Sequence, residues 1–297
     1  MTGALGALVV STIVARSPVA SSVTADPIRL EVCSRQFLLE CSDPGHRDLL
    51  HKVFGKLTAG AKTDSARTFD LGRLSGKGDG YLLEAPGESA RTIGSRAELI
   101  YEVDKDLTIA LQRARPDLLF VHAAAVELEG RAILLCGPSG TGKSTTAFVL
   151  LHHGFGYLSD ELAPIDLENG VVHTYAHALC LKSAPAAPYR LPAATLDLGE
   201  TLHLPVPALP GACALRPLPL HAIAFLRRGG SAHHPGLRPL STACAAAHLL
   251  SCTLNALAHH EQGADAALAI SRRAPGFELE TSDLPAAAKA LRAMLLA

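Results

Sequence analysis

The eight residues Gly137-Pro138-Ser139-Gly140-Thr141-Gly142-Lys143-Ser144 constrain this chain more than any other stretch. They fit G-x-x-x-x-G-K-[ST], the Walker-type loop that cradles phosphates between a strand and a helix. Glycines permit positive φ, so successive N–H groups can turn inward toward one anion. The helix that follows presents its positive N-terminal end to the same anion. In this pattern the lysine reaches the β- and γ-phosphates and the serine hydroxyl ligates Mg²⁺. The nucleotide-binding residues expected are Gly137, Pro138, Ser139, Gly140, Thr141, Gly142, Lys143, Ser144 and Thr145, and the ligand expected is ATP with Mg²⁺.

The flanks supply the context the motif requires. Arg131 to Cys136 is a short apolar run bounded by Gly130 and Gly137, which predicts a buried strand. Ser144 to His153 holds no breaker until Gly154, which predicts a helix. Phe155 to Ser159 predicts a second strand, and it delivers Asp160-Glu161. Acids at a strand end beside a phosphate loop handle Mg²⁺ or the attacking group. Two adjacent acids can divide that work, one binding metal and the other accepting a proton from a substrate hydroxyl. Upstream, Leu118 to Val126 predicts a further strand and Glu127 to Gly130 a turn. His122 interrupts that apolar run. From the residues alone, a packed histidine and a site histidine both remain open.

This combination resembles the HPr kinase/phosphorylase superfamily. The residues that carry the resemblance are His122-Ala-Ala-Ala-Val126, Gly130, Gly137 to Ser144, Gly154 and Leu158-Ser159-Asp160-Glu161. The chain looks most like the HPr-kinase-related branch that includes kinases of lasso-peptide clusters and a free-serine kinase. The resemblance is specific from about residue 118 to 162. It continues weakly through 178–182, 222–226 and the helical C-terminus. It implies that Asp160 is the catalytic base toward a serine hydroxyl and that His122 lies beside the nucleotide; the catalytic residues expected are Asp160, His122 and Lys143, and the metal ligands expected are Ser144, Asp160 and Glu161. It also implies an oligomer. The chain departs from the family in two places. It carries Asp160-Glu161 where two aspartates are usual, and it lacks the downstream Glu-Ile-Arg-Gly type signature that supports phosphorolysis. The resemblance therefore implies a kinase with a peptide, protein or small-molecule hydroxyl acceptor. HPr kinase/phosphorylase proper and a regulatory ATP-binding module with slow hydrolysis are the alternatives.

Composition narrows the field. Hydrophobic residues make up 48% of the 297 and charged ones 19%, the balance of a core-forming chain. The net charge of −1 comes with no block of like charge, so no electrostatic nucleic-acid surface is expected. Aromatics are 4% with no Trp, which leaves few stacking platforms for single strands. The seven cysteines include no C-x-x-C pair and read as reduced, mostly buried thiols of a cytoplasmic protein. Adjacent histidine pairs (152–153, 233–234, 259–260) are poor chelates, because neighbours on a regular element point apart. The apolar stretch Gly3 to Ala15 has no preceding positive residue and is too short to span a membrane. It is expected to be a strand or an irregular start, with no membrane partner.

The expected architecture is α/β, a phosphate-loop core of the HPr-kinase type with a smaller α+β N-terminal domain. Residues 1–116 form the accessory domain. It contains strands over Ile28 to Leu39, a short helix within Gly45 to Leu57, a loop over 59–80 and a mixed pattern over Ala97 to Leu111. Residues 117–297 form the kinase domain. Its segment 183–220 holds prolines 185, 188, 192, 205, 207, 210, 217 and 219. A long Pro-rich segment inside a domain is either an irregular surface excursion or a functional loop near the acceptor. Ala222 to Leu226 predicts a central strand, Ser241 to His260 one long buried helix and Ala264 to Arg273 another. Phe277 to Glu280 predicts a strand, and Asp283 caps a final helix.

Overall fold

The structure is a computed structural model that describes residues 26–58, 67–76, 80–214, 216–228 and 236–296. The apolar stretch Gly3 to Ala15 and the His233-His234 pair lie outside the described residues.

The first part of the chain builds a five-stranded sheet covered by two helices. Its strands are β1 (Ile28–Val32), β2 (Arg35–Cys41), β3 (Arg67–Ser75), β4 (Tyr81–Glu84) and β5 (Arg91–Ile93), paired in that order. A two-residue turn joins β1 to β2. Cys33 and Ser34 both take positive φ there, 48° and 60°, as a type I′ hairpin demands. Helix α1 (Pro44–Phe54) starts at Asp43, whose carboxylate accepts from the His46 N–H at 2.8 Å. Helix α2 (Arg96–Ala114) starts at Ser95, which accepts from the Glu98 N–H at 3.1 Å. Such caps contribute about 1 kcal/mol each. The buried residues Leu99, Ile100, Val103, Leu107 and Leu111 of α2 recur at helical spacing and face the sheet. Arg91 on β5 pairs with Glu102 and Asp106 on α2 and fastens the helix there.

The loop expected over 59–80 is corrected for Arg67–Ser75. Leu71 and Leu74 are buried as β3 pairs with β2 on one side and β4 on the other. The many Gly, Asp and Ser residues hid the strand. At Gly72, with φ 124°, an added Cβ would meet the Glu84 carbonyl oxygen at 2.1 Å. The glycine is what this close strand approach requires. The mixed pattern over Ala97 to Leu111 resolves as helix alone.

The rest of the chain is organised on a nine-stranded sheet among the described residues. It begins with β6 (Leu118–Val121), β7 (Ala123–Leu128) and β8 (Arg131–Cys136). Helix α3 (Lys143–His152) follows, then β9 (Gly156–Ser159), β10 (Ala163–Asp166) and β11 (Val171–Val172). A separate small sheet consists of β12 (Leu179–Leu181), β13 (Leu196–Asp197) and β14 (Leu202–Leu204), with β14 central. The chain returns to the large sheet as β15 (Leu218–Arg227) and β16 (Leu237–Pro239). It then forms α4 (Thr242–Ser251), α5 (Gly263–Arg273), β17 (Gly276–Glu280) and α6 (Leu284–Leu296). The large sheet runs β6-β10-β11-β15-β8-β7-β9, with β17 on β15 and β16 on β17. Strand β15 lies parallel to both β8 and β17, and β8 lies inside the sheet between β15 and β7. Buried on both faces, β8 reads as the continuous apolar run Ala132 to Cys136.

Two further expectations change. The single strand over Leu118 to Val126 is two strands broken at His122. Strand β6 pairs with β10, whereas β7 pairs with β8 and β9. The His122 N–H donates to the Cys252 carbonyl at 2.8 Å. The long helix expected over Ser241 to His260 ends at Ser251. Beyond it, Asn255 accepts from the Phe120 N–H at 2.9 Å and donates to the Leu118 carbonyl at 2.8 Å. The free edge of β6 thus recruits the segment out of helix.

Hydrophobic packing crosses residue 116. The core under the first sheet also contains Leu118, Phe120, Leu162, Tyr175 and Ala178. The Pro-rich segment runs over the surface through 183–202, where no residue is buried, and packs closely only in its later part. Leu204, Val206 and Leu209 join the core around α3. Among the described residues no helix is long and apolar enough to cross a membrane. All seven cysteines are free. Cys33, Cys41 and Cys136 are buried, and the other four are only partly so.

Candidate active site

The glycine loop joins the C-terminal end of β8 to the first turn of α3, with the strand, loop and helix in the expected order. Gly137, Gly140 and Gly142 have φ of 155°, 84° and 94°. Gly142 caps α3 in the left-handed region, where a Cβ is disfavoured. An added Cβ there would also sit 3.0 Å from Nη2 of Arg228. The guanidinium of Arg228, an exposed residue just past β15, therefore lies over the loop. The Thr141 N–H and hydroxyl both donate to the Pro138 carbonyl, at 3.2 and 2.8 Å. Lys143 folds along the loop, and its Nζ donates to the Gly137 carbonyl at 2.9 Å and the Pro138 carbonyl at 3.4 Å. Burial lowers the Lys143 pKa, opposed by the negative charge of Glu161.

Asp160 follows β9 directly and is 1% exposed. Its Oδ1 accepts from the Tyr157 hydroxyl at 2.8 Å, and its Oδ2 accepts from the Cys180 N–H at 2.8 Å. Ser144 lies close enough to favour its charged form as well. Burial raises the Asp160 pKa, opposed by the charge of His177 and by these hydrogen bonds. The adjacent Glu161 differs. Its side chain is 47% exposed. Its pKa is pushed up to about 7 by burial of the carboxylate and by the charges of Asp160 and Asp104.

His122 stands in the gap between β6 and β7. Its Nδ1 is 3.1 Å from the Glu161 carbonyl and 3.4 Å from Glu161 Oε1. Burial and the nearby Lys143 charge lower its pKa, which favours the neutral imidazole. The break in the strand turns this residue to the site side rather than into the sheet core. His122, Lys143, Ser144, Asp160 and Glu161 thus converge, although they are drawn from three separate stretches of sequence.

Four residues without a sequence signal complete the surroundings. His177 is buried, with Nδ1 2.8 Å from the Ala178 carbonyl and Nε2 3.8 Å from Asp104 Oδ1. Burial opposes its charge, but the Asp104 and Asp160 carboxylates outweigh burial and raise its pKa. Tyr175 donates to Asp104 Oδ1 at 2.6 Å. Asp104 comes from α2, so the first sheet and its helices reach the neighbourhood of Asp160. Arg228 is the fourth. It follows the strand expected over Ala222 to Leu226, but an arginine after a strand carries no mark of a loop opposite it.

The donor set suits a hard cation. Ser144 and Asp160 offer hydroxyl and carboxylate oxygens side by side, the ligand type Mg²⁺ takes. No group of three or more His, Cys, Asp or Glu able to hold a metal ion occurs among the described residues. A Mg²⁺ ion at Ser144 and Asp160 would therefore draw its other ligands from water and phosphate oxygens, its usual habit in nucleotide sites.

No protein-family model matches the sequence, and no curated protein matches it. Among solved structures the fold is similar to the HPr(Ser) kinase/phosphatase from Coxiella burnetii. That alignment has 17% sequence identity and a TM-score of 0.34, and it covers 60% of this chain and 96% of the other. A likeness of this extent carries nothing about chemistry, which stands on the residues described above.

Proposed function

We propose that this chain is an ATP-dependent kinase that transfers the γ-phosphoryl group to a serine-type hydroxyl of a peptide, protein or small molecule. One observation carries the reading. Ser144 of the glycine loop lies close enough to Asp160 to favour its charged form, so the two strongest sequence signals meet at one point. In this reading residues 117–297 are the catalytic domain, residues 1–116 an accessory domain, and the setting is the ATP-rich cytoplasm.

The loop N–H groups and the first turn of α3 bind the phosphates. Lys143 exchanges the carbonyls of Gly137 and Pro138 for phosphate oxygens. Arg228, poised over Gly142, adds a second cation where charge develops during transfer. Mg²⁺, when bound at Ser144 and Asp160, neutralises phosphate charge.

For the two acids we reverse the roles expected from the sequence. Asp160 is closed from solvent with both oxygens already accepting hydrogen bonds, which suits a fixed anchor for Ser144 and the cation. Glu161 is half-exposed beside His122, which suits a base that must meet an incoming hydroxyl. His122 orients the Glu161 carboxylate.

The test uses γ-labelled ATP with free serine, HPr and a lasso-type precursor peptide as acceptors. Label in phosphoserine of any acceptor supports the kinase reading. Release of label only to water favours the regulatory module. Glu161→Gln is expected to cut transfer by about 10²–10⁴ with Mg²⁺-ATP affinity kept, and Asp160→Asn to lose that affinity. The opposite pattern returns the base to Asp160.

A further inference from the structure

Asp104 lies 56 positions before Asp160 in the chain, on a helix that belongs to the first sheet. Nothing in the loop, the metal pair or the base requires it. Its surroundings nevertheless tie it to Asp160 through one short segment, residues 175–180.

That segment is held from both sides. On the side of the first sheet, the Tyr175 hydroxyl donates to Asp104 Oδ1 at 2.6 Å, and His177 Nε2 lies 3.8 Å from the same oxygen. The Ala178 N–H donates to the Val53 carbonyl of α1 at 2.7 Å, and the His177 ring packs on Phe54 with centroids 6.0 Å apart. On the side of the site, the Tyr175 N–H donates to the Leu158 carbonyl of β9 at 3.1 Å. The Cys180 N–H donates to Asp160 Oδ2 at 2.8 Å. The Tyr157 hydroxyl, 2.8 Å from Asp160 Oδ1, is also 3.1 Å from the His177 carbonyl. Two of the hydrogen-bonding groups around Asp160 are therefore set by where residues 177–180 sit.

We propose that Asp104 is a positioning residue: by gripping Tyr175 and His177 from α2, it fixes the 175–180 segment that orients the Asp160 carboxylate. The first sheet then completes the site instead of merely neighbouring it. A carboxylate held by several short contacts loses geometry when any one support loosens, and such supporting contacts commonly matter by one or two orders of magnitude. The proposal rests on the kinase reading for its catalytic consequence, but not for the mechanical link.

The experiment compares Asp104→Asn, Asp104→Glu and Tyr175→Phe in the full chain. It measures melting temperature, kcat and KM for ATP with free serine as the acceptor probe, and amide hydrogen exchange at Cys180. Asp104→Asn is expected to raise KM for Mg²⁺-ATP about tenfold, with kcat at saturating Mg²⁺-ATP less affected, and to speed Cys180 exchange. Asp104→Glu, which keeps the charge, should recover part of the affinity for Mg²⁺-ATP. Tyr175→Phe keeps the ring packing and removes only the hydroxyl link, so it covers the case in which Asp104→Asn folds poorly. Unchanged Cys180 exchange in folded Asp104→Asn and Tyr175→Phe overturns the proposal. So does a loss confined to melting temperature. If the parent chain transfers nothing to serine while Cys180 exchange still rises in the variants, the choice of acceptor or the kinase reading fails and the link from α2 stands.

Discussion

The Tyr157 hydroxyl donates to Asp160 Oδ1 at 2.8 Å, from a ring that is fully buried three residues earlier in the chain. Tyrosine and acid project from the same end of β9 across one strand turn. Burial raises the tyrosine pKa well above its usual value, aided by the Asp160 charge, which favours the phenol as a donor. Tyr157→Phe keeps the ring and removes the donor. A hydrogen bond to a buried charged group is worth about 1.5–3 kcal/mol, so the variant is expected to melt several degrees lower. Affinity for Mg²⁺-ATP should fall with it, since Asp160 anchors the cation. A melting temperature equal to the parent's would mean that Asp160 draws no stability from this contact.

Lys143→Ala is expected to cut phosphoryl transfer by at least about a hundredfold, since the ammonium serves charge that develops in the transition state. Stability should hold. The ammonium is buried against two carbonyls and its charge is disfavoured by burial, so removing it relieves a desolvation cost. Circular dichroism melting and a γ-label transfer assay check both halves. Normal turnover by the folded variant would remove the glycine loop from the chemistry.

Cys252 offers a pH-dependent readout at the far side of the loop. Its pKa is lowered to about 6, chiefly by a hydrogen bond from the Cys136 thiol, with help from Ser251, the Gly137 backbone and Lys143. Burial pushes Cys33 and Cys180 up to about 12. Iodoacetamide is therefore expected to label Cys252 first, with a rate that rises through pH 6. Because the folded value lies below the unfolded one, the ionised thiol adds stability that is complete above pH 9.0 and is lost as pH falls through about 6. Mass spectrometry of labelled peptides from pH 5 to 9 checks the order. Cys136→Ala should move the profile upward. A Cys252 profile centred near an ordinary thiol value in the parent would contradict the assignment.

The central part of the site was legible in the sequence because its signals are local. A glycine loop needs its strand and helix on either side, and 131–153 carries all three in order. Asp160-Glu161 was legible because a strand end followed by acids is a short-range pattern. Asp104, His177 and Arg228 were not, since each gains meaning only from a partner far away in sequence. The N-terminal strand β3 was hidden for a different reason. Its Gly72, Asp70 and Ser75 spell loop, and pairing with β2 and β4 overrides that propensity. The end of α4 was hidden as well. Ala-, Leu- and His-rich sequence continues past Ser251, but the unpaired backbone of β6 competes for Asn255 and wins.

The Pro-rich segment gives the last prediction. Its return path runs along β9: the Tyr157 N–H donates to the Ala212 carbonyl at 2.7 Å, and the Ala214 N–H donates to the Tyr157 carbonyl at 2.9 Å. The strand that presents Asp160 is therefore held on one edge by residues 212–214. Gly211 makes this approach possible. A Cβ there would lie 2.4 Å from the Phe155 carbonyl oxygen and 3.1 Å from Leu151 Cδ2. Backbone at that distance cannot swing aside as a flexible side chain can. Gly211→Ala must push the segment off β9, at a cost of about 1–3 kcal/mol for overpacking of this kind. In a chain of this size each kcal/mol lowers the melting temperature by about 2–4 °C. Gly55, with nothing within 4 Å of its Cβ position and φ of −57°, is the control for lost glycine freedom without a clash, and Gly55→Ala should cost less. If the segment serves only to hold β9, Gly211→Ala lowers melting temperature and transfer together for every acceptor. If it also receives the acceptor, KM for the acceptor rises while ATP affinity stays level. A Gly211→Ala variant as stable as the parent would show that the segment yields without disturbing β9.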